Sequence, residues 1–67
     1  MDINVHIGET AGEVWRLLES SGPLTLAQLA KKLSKSSELL HFAVGWLARE
    51  EKLQVIYEKQ NYRLQLK

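Results

Sequence analysis

Five cations carry the first chemical signal in this chain: Lys31, Lys32 and Lys35 close together, then Lys59 and Arg63 near the end. Such side chains neutralise phosphate oxygens and position a protein along a nucleic-acid backbone without reading its sequence. Ser36 and His41 follow the lysine cluster and offer hydrogen bonds of the kind that reach phosphates or base edges. The competing reading is a solvated surface, since lysines are common on exposed helix ends. A second group differs in kind. Leu39, Phe42 and Trp46 are spaced by three and four, so on a helix they touch, with Arg49 at their edge. Trp, Phe and Arg are the usual anchors of protein interfaces.

Catalytic chemistry has no comparable support. His6 and His41 stand alone, and the chain has no cysteine. A disulfide or thiolate site is therefore impossible and a structural zinc site is not expected. Ser20, Ser21, Ser34, Ser36 and Ser37 have no histidine and acid at a spacing that suggests a nucleophile. Glu50 and Glu51 read with Lys52 as a solvated helix end, and no glycine-rich phosphate loop is present. The expectation is a protein that is not an enzyme and takes no cofactor and no metal.

With 67 residues the chain is one domain, residues 1–67. A domain of this size buries only about 60% of the surface its unfolded chain exposes, so small stability is expected. An apolar fraction of 45% excludes a disordered chain. The net charge of +1 lacks the strong basic excess of many nucleic-acid binders, so the placement of the cations matters more than their sum. Met1 to Val5 has neither the basic flank nor the apolar run of a secretory leader. No apolar run approaches the roughly 20 residues of a membrane span. Lys67 follows the last patterned residues directly. A cytoplasmic protein without a membrane partner is expected.

The elements that must hold these residues follow from periodicity. Ile3, Val5 and Ile7 alternate with polar residues, which predicts a short strand or an extended arm. A first helix is expected over 8–20, with Ile7, Ala11, Val14 and Leu18 as its buried stripe. Thr10 and Glu13 form a capping-box pattern that sets its start between Ile7 and Ala11. Ser21-Gly22-Pro23 ends it. Leu24-Thr25 reads as a connection. Thr25 with Gln28 caps a second helix over 26–33, buried through Leu26, Leu29, Ala30 and Leu33. After a serine-rich turn, Ser34 or Ser36 caps a third helix from about Ser37 to Glu50 or Glu51. Leu53, Val55 and Tyr57, then Tyr62, Leu64 and Leu66, alternate on either side of Lys59-Gln60 and predict a β-hairpin. That turn lacks the Asn-Gly or Asp-Gly pair of a tight loop, so the pattern leaves the register open.

Helix, short helix, tight turn, longer helix, hairpin is the order of an α+β winged helix-turn-helix, three helices with a C-terminal two-stranded wing. In that architecture the third helix normally enters the DNA major groove. The chain also resembles a family of small bacterial winged helix-turn-helix proteins of uncharacterised function. The resemblance rests on Ile7-Gly8, Ala11-Gly12-Glu13-Val14-Trp15, Gly45-Trp46-Leu47-Ala48-Arg49-Glu50 and Lys52-Leu53, and it spans essentially the whole chain. It implies the winged fold and a DNA-binding or regulatory role, with no ligand and no catalytic residues.

On a wheel of about 100° per residue, Leu40, Ala43, Val44 and Leu47 share one side of the third helix and should face the core. Leu39, Phe42 and Trp46 widen the apolar arc beyond what a core contact needs. Three readings fit them: the N-terminal arm or the wing covers them, a partner or second copy does, or they pack on thymine methyls. Glu38, at the start of the helix, would repel phosphates or accept from a cytosine amino group. Two functions follow. One is a DNA-binding, transcription-regulator-like module whose contact candidates are Lys31, Lys32, Lys35, Ser36, His41, Lys59 and Arg63. The other is a protein-interaction or homodimerisation module without base reading, whose interface candidates are Leu39, Phe42, Trp46 and Arg49.

Overall fold

A computed structural model describes residues 2–67. Helix α1 spans Ile3–Ser21, strand β1 Leu24–Thr25, helix α2 Leu26–Leu33, helix α3 Ser37–Arg49, and strands β2 and β3 Leu53–Glu58 and Asn61–Leu66. The three strands form one antiparallel sheet in the order β1-β3-β2.

The N-terminal segment corrects the expected arm: residues 3–7 are helical. Asp2 is the N-cap, and its carboxylate accepts a hydrogen bond from the Asn4 amide at 3.0 Å. Ile3 and Ile7 are four apart, in line with Ala11, Val14 and Leu18, although Ile3 itself is exposed and Ile7 only half-buried. Over so short a run a spacing of two and a spacing of four cannot be told apart, and the helix wins because its cap is present. Thr10 therefore lies inside α1 and caps nothing. It is fully buried, and its hydroxyl has no partner among the described residues. Gly22, at φ 80°, ends α1 in a conformation that disfavours any side chain, with its N–H donating to the Leu18 carbonyl.

The capping box of α2 forms as expected. Thr25 Oγ1 accepts from the Gln28 amide at 3.1 Å and Gln28 Oε1 accepts from the Thr25 amide at 2.8 Å. Leu24-Thr25 is more than a connection: it pairs with β3 in the register Leu24–Leu64 and Thr25–Arg63. The expected two-stranded hairpin forms from β2 and β3, and β1 adds a short third strand to its sheet. Two residues are too few to show a period, which is why the pattern is silent there.

Ser36 caps α3 by accepting from the Leu39 amide at 3.2 Å. The C-terminus of α3 is closed by the Lys52 amide on the Leu47 carbonyl and the Glu51 amide on the Ala48 carbonyl. This is the paired closure that usually has glycine at its left-handed position. Here Glu51 takes it, at φ 62°. Its carboxylate accepts from Lys67 Nζ at 2.6 Å, tying the end of α3 to the end of β3. That hydrogen bond, and then the ammonium charge, hold the Glu51 carboxyl below its ordinary range. The stabilisation is present above the unfolded-state value and is lost as pH falls through the folded one.

The core forms where α1, α2, α3 and the inner face of the sheet meet. Val14, Leu29, Leu40, Ala43, Leu47, Leu53 and Leu64 are each at most 2% exposed. The expected core face of α3 is therefore correct at every position.

The wing turn settles the register. Glu58 pairs with Asn61, which leaves Lys59 and Gln60 as a two-residue loop at φ 50° and 65°. Left-handed backbone at both positions is the type I′ hairpin turn, which suits right-twisted strands but prefers Asn-Gly. Each non-glycine residue in that region costs roughly 1–2 kcal/mol. Gln60→Gly is accordingly expected to raise stability by about 1 kcal/mol, read as a higher urea midpoint with unchanged slope.

Candidate nucleic-acid interface

Three elements converge on one side of the molecule. The outer side of α2 (Ala27, Ala30), the first turns of α3 (Ser37, His41) and the wing (Gln60, Tyr62) line a common groove. A neighbouring groove continues between His41 and Gly45 of α3 and Val55 and Tyr62 of the wing. Lys31 follows Ala30 and lies one helical turn beyond Ala27; Lys59 directly precedes Gln60. Both lysines thus border this surface, and Lys32 stands beside Lys31 at the C-terminal end of α2. All three are exposed and take part in no salt bridge among the described residues.

The other expected contact residues are placed differently. Lys35 Nζ is 3.6 Å from Glu13 of α1, so its charge is partly satisfied within the chain. Arg63 pairs with Ile56 across the hairpin and with Thr25 of β1, on the face of the sheet opposite buried Leu64. Its guanidinium lies 3.6 Å from Glu58. The Ser36 hydroxyl is committed to capping α3. His41 is exposed and faces the wing.

Of the interface candidates, Phe42 and Trp46 are 55% and 47% exposed, Leu39 is half-buried and Arg49 is exposed. Neither the N-terminal segment nor the wing covers Phe42 and Trp46, which removes the first of the three readings. Trp46 lies towards α1, in a groove with Gly8, Gly12 and Trp15, away from the wing. Arg49 forms no ion pair among the described residues.

Two features escaped the sequence reading. Tyr57 and Tyr62 face each other across the hairpin with ring centroids 4.8 Å apart, and both are exposed. A two-residue loop at Lys59-Gln60 forces that pairing, so trusting the loop length would have revealed it. The second is Gly45, on the outward side of α3 with open space where a Cβ would stand. Glycine inside a helix costs about 1 kcal/mol relative to alanine. Packing within the chain does not require it.

Over residues 1–67 the sequence matches the family described as "Winged helix-turn-helix domain (DUF2582)". The chain belongs to this family. The winged helix-turn-helix is 42% identical over 64 residues to the uncharacterised protein MJ1608 of Methanocaldococcus jannaschii, covering 91% of this chain and 90% of that one. It is also similar to the solution NMR structure of protein BT2368 from Bacteroides thetaiotaomicron, at 33% identity and a TM-score of 0.82, covering 100% of this chain and 80% of that one. An archaeal relative stands beside a bacterial one, so the expectation of a bacterial family is too narrow. Among the described residues no helix is long and apolar enough to cross a membrane.

Proposed function

We propose that this winged helix-turn-helix binds duplex DNA as a transcription-regulator-like module, anchored through phosphates, and that it is not an enzyme. In this reading α3 approaches the major groove from its N-terminal half, and Lys31, Lys32 and Lys59 contact backbone oxygens on either side. The observation that carries it is the convergence of α2, the start of α3 and the wing tip on one surface bordered by Lys31 and Lys59, with Lys32 beside Lys31, none of them in a salt bridge among the described residues. His41 is the base-edge candidate on that surface, with Gly45 giving the helix close approach. Phe42 and Glu38, also outward on α3, offer a thymine methyl contact and an acceptor for a cytosine amino group. So small a set of base-reading groups fits weak sequence selectivity.

A titration of a labelled duplex at increasing salt tests the proposal. The expected result is an affinity in or above the non-specific range of about 10⁻⁴ to 10⁻⁶ M, with a log–log salt slope near −3 for about three phosphate contacts. Absence of binding at low salt, or binding that salt does not weaken, would refute it.

A further inference from the structure

The outer face of α1 lies away from the wing and is not used in the DNA reading. On a wheel of about 100° per residue, Val5, Gly8, Gly12 and Trp15 share this face, and Glu9 and Arg16, seven apart, share one of its edges. Trp46 of α3 joins Gly8, Gly12 and Trp15 in lining a groove beside it. Glycine is the poorest helix former apart from proline, so two in one helix call for a reason. The chain's own packing supplies none. A Cβ at Gly8 would meet nothing within 4 Å, and one at Gly12 only the flexible guanidinium of Arg16, at 3.3 Å. Glycines that nothing within the chain needs, beside a tryptophan 47% exposed, fit close approach by another backbone.

We propose that this groove seats α1 of a second copy of the chain, antiparallel and crossing near Gly12, in a two-fold dimer. Charge selects the occupant. In an antiparallel pair crossing there, Arg16 of one protomer falls against Gly8 and Glu9 of the partner subunit, and the two-fold axis repeats the contact. Arg16 is exposed and forms no salt bridge among the described residues. Glu9 is exposed and has only His6, at 3.6 Å. A self-complementary cation and anion on one edge are what an isologous interface requires. The face is only one helix long, so a micromolar dimer is expected. The inference does not rest on DNA binding, and it leaves the α2, α3 and wing surface free on both protomers.

Sedimentation of the full chain between about 10 µM and 1 mM tests it. The expected result is a concentration-dependent dimer whose dissociation constant rises at least about tenfold in Arg16→Glu and in Glu9→Arg, and returns to within about threefold in the double variant. All three should remain folded by circular dichroism, because both positions are exposed. Gly8→Ala with Gly12→Ala should melt at a higher temperature yet dimerise less. A monomer across the whole range, a dimer indifferent to the single reversals, or a double variant no better than either single one would overturn the proposal.

Discussion

Leu40→Ala is expected to remove about half of the domain's stability, whereas Phe42→Ala, two residues along the same helix, leaves most of it. Leu40 is 1% exposed at the centre of the α3 core face. Truncating such a leucine costs about 2–5 kcal/mol through lost burial and the cavity left behind. A chain of 67 residues has roughly 3–10 kcal/mol in all, so that loss removes about half of its margin. Phe42 is 55% exposed and contributes less burial, so its truncation should cost about 1 kcal/mol or less. Urea unfolding of the two variants, followed by helical circular dichroism, reads the difference directly. Equal losses would mean that the two faces of α3 are assigned wrongly.

The second large effect concerns binding. Lys31→Glu with Lys59→Glu is expected to weaken duplex affinity about 10- to 100-fold at low salt and to lower the salt slope by about 2. Each reversal removes a phosphate contact and places an anion beside the backbone. Neither lysine takes part in a salt bridge among the described residues, so neither reversal breaks an ion pair. Lys52→Glu is the matched control. It makes the same change of charge as either single reversal, beside the α1 groove and at the opposite end of β2 from the wing tip, and should alter affinity by less than about threefold. A control that weakened binding as much as Lys31→Glu alone would indicate attraction by overall charge, not by a defined surface.

Much of the fold is legible in the residue pattern because local chemistry and tertiary packing agree. The α2 bounds follow from one capping box and an apolar stripe, and Ser36 caps α3 for the same reason. Disagreement arises where a run is short. Ile3, Val5 and Ile7 fit a strand by alternation and a helix by the four-residue step, and only the Asp2 cap decides. Leu24-Thr25 becomes a strand because β3 lies beside it, a partner 40 residues away in sequence at Leu24–Leu64. At Lys59-Gln60 the hairpin forms without the preferred residues because pairing on both sides outweighs the local strain.

The candidate site is legible in type more than in place. Lys31, Lys32 and Lys59 are exposed and take part in no salt bridge among the described residues. Lys35 and Arg63, equally basic in sequence, are drawn to Glu13 and Glu58 by folding. Spacing along one helix cannot show a partner on another element. For the same reason the pairing of Trp46 with the glycine face of α1 appears only once the two helices are packed.

Amide chemical-shift mapping of the ¹⁵N-labelled chain, titrated with duplex DNA at low salt, tests the central claim most directly. Shifts should concentrate at Lys31 and Lys32, the first turns of α3 through His41, and the wing turn at Lys59-Gln60, while Gly8, Gly12 and Trp15 stay still. Shifts confined to the α1 and Trp46 face, or no shifts at all, would contradict it.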